Sequence, residues 1–93
     1  MANIEVQKTD HGDTYELQVT VKEGRGESRH RVTLRKADYE RLSGGKVSPE
    51  ALVTESFRFL LEREPKESIL RSFDLTVISR YFPEYEREIA RRL

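Results

Sequence analysis

The spacing of apolar residues changes partway along this 93-residue chain. In residues 1–36 apolar and polar side chains alternate, as a strand with one buried face requires. From residue 37 onward the apolar residues recur at intervals of three and four, which is typical of helices. Strands followed by helices, without alternation between the two, indicate an α+β fold. We therefore predict one domain over residues 1–93: a three-stranded antiparallel meander (1–36) followed by three to four α-helices packed on one face (37–93).

Two turns divide the strand half. Residues 10–13 read Asp-His-Gly-Asp and residues 23–27 contain two glycines, so each segment is predicted to reverse the chain. Placing Lys8 opposite Tyr15 keeps the apolar side chains of the first hairpin on one face and leaves 10–13 as its loop. The third strand is predicted over residues 28–36.

The helical half contains one strong start signal. Residues 48–50, Ser-Pro-Glu, combine a hydroxyl N-cap, a proline in the first turn and an acid near the helix N-terminus. Apolar residues follow at helical spacing, and this helix must end before Pro65. Shorter helices are predicted to begin near Pro65, Asp74 and Pro83. We expect their apolar and aromatic residues to point inward, among them Ile69, Leu70, Phe73, Val77, Ile78, Tyr81, Phe82 and Tyr85.

Composition excludes several classes of protein. The 17 basic and 17 acidic residues cancel, which argues against a generally basic nucleic-acid binder. The chain has no cysteine, so disulfides, thiolate nucleophiles and Cys-ligated metals are excluded. Its longest apolar run is three residues, 59–61, too short for a membrane span or a signal peptide. We expect a cytoplasmic protein with no membrane partner.

The C-terminal third carries a recognisable motif. Residues 64–71 read EPKESILR, and they are followed by FDL at 73–75, VI at 77–78 and YFPEY at 81–85. This segment resembles a family of small bacterial proteins of unknown function. Because no reaction, ligand or partner is assigned to that family, the resemblance implies no function.

Neither histidine forms a catalytic or metal-binding pattern. His11 lies in a predicted turn, whereas His30 shares the parity of Val32 and Leu34 and is expected at the end of the buried face. No serine partner of either histidine is evident, and no metal ligands follow a motif spacing. We therefore predict no catalytic residue, no cofactor and no metal site. A third alternative is an enzyme that uses His11 or His30 with neighbouring acids.

A basic strand is the remaining candidate site. Residues 22–36 contain six basic and two acidic residues, a net charge of +4. The alternation places four residues on the face opposite Val32, as candidate contacts to nucleic acid or to a partner: Arg29, Arg31, Thr33 and Arg35. An ordinary structural alternative is that Arg31 and Arg35 pair with Glu16 and its neighbours across the sheet.

The order of elements around this strand suggests a second resemblance. Residues 31–34, the short helix at 37–42, a glycine turn and the helix at 48–64 together resemble a ribbon-helix-helix repressor. The resemblance implies a strand that pairs with its copy across a dimer and enters the DNA major groove.

Two functions remain open from the sequence. The first is a non-catalytic protein-interaction module whose partner is an unknown protein or a second copy of the chain. The alternative is a nucleic-acid-binding regulator of the ribbon-helix-helix type, which uses Arg29, Arg31 and Arg35.

Overall fold

The structure is a computed structural model that describes residues 2–93. Three long strands form the antiparallel meander: β1 (Asn3–His11), β2 (Thr14–Glu23) and β3 (Gly26–Arg35). The α-helices are α1 (Lys36–Ser43), α2 (Pro49–Leu61), α3 (Ile78–Tyr81) and α4 (Tyr85–Arg92). Single 3₁₀ turns occupy Lys66–Ser68 and Leu75–Val77. The predicted α+β class is confirmed.

The first hairpin has a different register from the predicted one. Lys8 lies opposite Leu17 instead of Tyr15, and His11 pairs with Thr14. Both registers keep the apolar side chains on one face, so alternation alone does not choose between them. The conformation of the turn determines the register. Gly12, with φ of 70°, is the first residue of a two-residue connection, where a positive φ matches the twist of the flanking strands.

A short fourth strand, β4 (Ser72–Asp74), corrects the prediction of a pure three-stranded meander. It pairs in parallel with β3, giving the sheet order β1-β2-β3-β4. The Arg31 N–H also donates to the carbonyl of Arg71 at 2.7 Å. Where a helix was predicted to begin at Pro65, only one 3₁₀ turn forms before the chain becomes extended. Extended chain satisfies backbone groups on the edge of β3 that a helix would leave unpaired.

The helices cover one face of the sheet. Helix α2 begins as predicted, because the Ser48 hydroxyl accepts a hydrogen bond from the Ala51 N–H at 3.1 Å. The Glu50 carboxylate reaches Lys8 of β1 at 3.9 Å. The sheet contributes five fully buried apolar side chains to the core: Leu17, Val19, Val21, Val32 and Leu34.

Tyr85 joins α4 to α2. Its side chain and that of Ser56 are both fully buried, and their hydroxyl oxygens lie 2.6 Å apart. The Ser56 hydroxyl donates to the carbonyl of Leu52, so the Tyr85 hydroxyl is the donor to Ser56. Burial raises the pKa of the Tyr85 phenol well above its ordinary value, which keeps the donor protonated. The ring also packs edge-on against Phe59, with centroids 5.3 Å apart.

Candidate functional site

The basic face of β3 is exposed, as predicted, but most of its candidate contacts are already paired. Arg31 binds the Glu16 carboxylate at 2.7 Å, and this hydrogen bond lowers the pKa of Glu16. Arg29 binds Glu27 at 3.0 Å. The Thr33 hydroxyl donates to Asp74 of β4 at 3.0 Å. Among residues 2–93, Arg35 has no carboxylate within ion-pair distance.

The position of β3 in the sheet also affects the ribbon-helix-helix resemblance. Such a ribbon needs a free strand edge for the second copy. Over Arg31–Thr33, β3 has β2 on one side and β4 on the other. In this fold, these residues can pair with a second copy only after β4 has left the sheet.

We expect the chain to show no retention on heparin and no shift of mixed duplex DNA at low salt. The physical reason is that Arg29 and Arg31 already bind carboxylates of their own sheet. Retention that weakens steeply with salt, and less steeply in the Arg31→Ala variant, would contradict this expectation. A lysine-rich peptide of similar mass serves as the positive control for both assays.

A polar cleft of about 320 Å³ lies between the start of β3 and the segment 66–71. His30, only 3% exposed, forms one wall. Its Nδ1 lies 2.8 Å from the Leu70 carbonyl oxygen, which can only accept, so Nδ1 carries the hydrogen. In the neutral ring Nε2 then accepts from the Ser28 hydroxyl at 2.8 Å. Ser28 was not among the residues predicted from the sequence, although the strand period of two places it on the same face as His30.

The Ser28–His30 pair has the separation of a nucleophile and its base. Its surroundings support a structural role better. The ring lies against Phe57, with centroids 5.2 Å apart, and its Nδ1 ties Leu70 to the sheet. Two of the cleft's three cations are paired with carboxylates that line the same cleft: Arg29 with Glu27 and Lys66 with Glu67.

His11 lies at the exposed end of β1, opposite Thr14. Within residues 2–93, no group of three or more His, Asp or Glu side chains is placed to hold a metal ion. In the described part of the chain, neither histidine therefore has the neighbouring ligands that a metal centre needs.

The second depression is an apolar groove of about 280 Å³. It lies between the C-terminal end of α2, the extended segment before β4, and α3. Its lining contains two polar residues, Glu64 and Ser68. The remaining lining residues are Leu60, Ile69, Leu70, Phe73, Val77, Ile78, Tyr81 and Phe82.

Two large apolar side chains on the rim of this groove face solvent. Leu70 is 47% exposed and Tyr81 is 66% exposed, whereas both were predicted to point inward. The segment around Leu70 is extended, so burying Ile69 turns Leu70 to the opposite side. Helix α3 has only four residues and buries Ile78, which leaves Tyr81 at its end uncovered.

Two charged side chains near the groove lack partners among the described residues: Glu64, which belongs to the groove lining, and Arg80, which does not. Glu64 is half-buried, and among residues 2–93 its carboxylate makes neither an ion pair nor a hydrogen bond. Its neighbour Arg63, in contrast, binds Glu84 at 3.2 Å. Arg80 precedes Tyr81 on α3, is exposed, and pairs with no carboxylate of the described chain.

No protein-family model, curated protein or solved structure matches this chain. None of the helices described over residues 2–93 combines the length and the apolar character needed to cross a membrane. The choice between the basic face of β3, the polar cleft and the apolar groove therefore depends on their geometry and chemistry. The apolar groove is the one of the three that exposes large apolar side chains, Leu70 and Tyr81.

Proposed function

We propose that this chain is a non-catalytic protein-interaction module whose binding surface is the apolar groove. The observation that carries the proposal is the exposure of Leu70 and Tyr81 on the groove rim. Removing apolar area from water is favourable by about 25 cal/mol per Å² before the entropic cost of association, so covering both side chains favours the binding of a partner. Contiguous exposed apolar surface rimmed by polar groups is characteristic of interaction sites.

The chemistry of the groove favours binding of a protein surface. Interface cores are rich in aliphatic and aromatic side chains and poor in charge, with polar groups at the rim. The groove has this composition, since Glu64 and Ser68 are the polar residues of its lining. We further propose a cytoplasmic location and no cofactor, as the sequence indicates.

Nucleic-acid binding through Arg29, Arg31 and Arg35 remains the alternative prediction. The carboxylates bound to Arg29 and Arg31 give that alternative less support than the groove receives.

The proposal can be tested with N-phenyl-1-naphthylamine, an uncharged probe whose fluorescence rises in apolar surroundings. We expect its fluorescence to rise with added protein at low micromolar chain concentration, and the Leu70→Lys variant to lose most of this increase. Thr9→Lys is the matched control. Thr9 is exposed on β1, so a lysine at this position adds the same charge outside the groove. Equal fluorescence with both variants, each folded by circular dichroism, would contradict the groove as the binding surface.

A further inference from the structure

One carboxylate lies within the lining of the apolar groove. Of the residues described over 2–93, Glu64 is the one charged member of that lining, and it is half-buried. Its side chain makes neither an ion pair nor a hydrogen bond with any other residue of the described chain. Any occupant of the groove therefore has to accommodate this charge.

Covering the groove changes the surroundings of the Glu64 carboxylate. A partner that lies over Leu70 also displaces water from Glu64, which lines the same groove. Burying a charge without a partner is costly, whereas an ionised donor that reaches the carboxylate offsets the loss of water. The neighbouring Arg63 does not supply this donor, because it binds Glu84 at 3.2 Å and lies 3.6 Å from the centre of the Phe59 ring. The cation has to come from the occupant.

Two further features of the groove favour a positively charged group. Leu60, in the last turn of α2, belongs to the lining. The C-terminal end of a helix carries partial negative charge, which stabilises a nearby cation. Tyr81, 66% exposed on the rim, offers aromatic surface for a cation–π contact.

The same charge disfavours a second copy of this chain as the occupant. In a two-fold dimer formed through the groove, the lining of one copy meets the lining of the other. The charge that the lining contributes is the Glu64 carboxylate alone, since Arg80 does not belong to it. Such an interface brings like charges together and supplies no cation from the lining to either carboxylate.

We propose that the occupant of the groove is a segment of a different protein, in which a large apolar side chain lies close in sequence to a lysine or an arginine. The apolar side chain fills the hollow of about 280 Å³ beside Leu70 and Tyr81, and the basic group binds the Glu64 carboxylate. This inference rests on the proposed function, because it names the chemistry of the partner for the same surface.

A random heptapeptide library displayed on phage tests the chemistry of the partner. Selection on the immobilised full chain is expected to enrich peptides in which Lys or Arg accompanies Leu, Ile, Phe or Trp. Selection on the Glu64→Gln variant should keep the apolar residues and lose the enrichment of basic ones. Glu40→Gln is the matched control and should select as the unchanged chain does, because Glu40 is exposed on α1 and outside the groove lining.

A charge swap tests the contact itself. One enriched peptide is synthesised with blocked ends, together with a version in which Glu replaces its basic residue. In isothermal titration calorimetry the acidic version is expected to bind the unchanged chain about tenfold more weakly than the basic one. Glu64→Lys is expected to reverse this order of affinities, with the folding of the variant verified by circular dichroism. If Glu64→Gln binds the basic peptide as tightly as the unchanged chain does, the inference is overturned.

The outcomes separate this inference from the proposed function. Enrichment of apolar peptides without basic residues, or no enrichment by a chain that still binds N-phenyl-1-naphthylamine, overturns the basic partner and leaves the groove as the interaction surface. A chain that selects no peptide and does not bind the probe overturns both. A mass of twice 10.9 kDa in sedimentation equilibrium, lowered to that of one chain by Leu70→Lys, makes a second copy the occupant and also overturns this inference.

Discussion

Replacing Tyr85 with alanine is expected to lower the free energy of unfolding by about 3–5 kcal/mol, the usual cost of removing a buried aromatic ring. Small domains have a total stability of about 5–15 kcal/mol, so this loss brings the chain close to unfolding. Tyr85 is fully buried, packs on Phe59 and is hydrogen-bonded to Ser56. Its removal opens a cavity between α2 and α4. Urea unfolding followed by circular dichroism measures the change.

The Tyr85→Phe variant separates the ring from its hydroxyl. It keeps the packing on Phe59 but removes the donor to Ser56, whose own hydrogen is used by the Leu52 carbonyl. We expect a loss of about 1–2 kcal/mol, typical of one buried hydrogen bond. Equal losses for alanine and phenylalanine would show that the ring does not fill the space between the two helices.

Replacing Arg31 with proline is the second prediction with a large expected effect. The backbone N–H of Arg31 points toward β4 and donates to the Arg71 carbonyl. Proline removes this donor, and leaving the carbonyl without a partner costs on the order of 1–3 kcal/mol before the strain in β3 is added. We therefore expect β4 to detach and the unfolding midpoint in urea to fall sharply.

Two control variants isolate the backbone effect. Arg31→Ala removes only the exposed side chain bound to Glu16 and is expected to cost much less. Arg29→Pro places the same ring two residues earlier, where the strand period directs the N–H to the same edge but beyond the end of β4. If Arg31→Pro and Arg29→Pro destabilise the chain equally, β4 does not pair with this part of β3.

The alternation of the first 36 residues was sufficient to predict the meander and its two faces. Leu17 and Val32 are buried, while Arg29 and Arg31 lie on the wet face. The expectation that Arg31 and Arg35 pair with Glu16 and its neighbours is confirmed for Arg31. It is wrong for Arg35, which has no carboxylate of residues 2–93 within ion-pair distance. These features depend on side-chain parity and on local hydrogen bonds, both of which can be inferred from a single strand pair.

Features that depend on distant parts of the chain could not be inferred in the same way. β4 has only three residues, and nothing in Ser72–Asp74 distinguishes a strand from a loop without the edge of β3. The exposure of Leu70 follows from that pairing, because an extended segment sends Leu70 away from Ile69. A helical reading of the same residues placed both side chains inward. The groove was missed for this reason.

The pairing of β3 with β4 brings together residues that are far apart in sequence, as shown by the Thr33–Asp74 hydrogen bond with its separation of 41 residues. Hairpins and α2 require only local contacts, whereas this pairing must close a long loop and loses chain entropy in doing so. Most of the groove lining, from Ser68 to Phe82, belongs to the segment that contains β4 and the residues on either side of it. The groove is therefore complete only when β4 is paired with β3. Any occupant that binds it favours closure by mass action, so the stability of this protein will depend on the concentration of its partner.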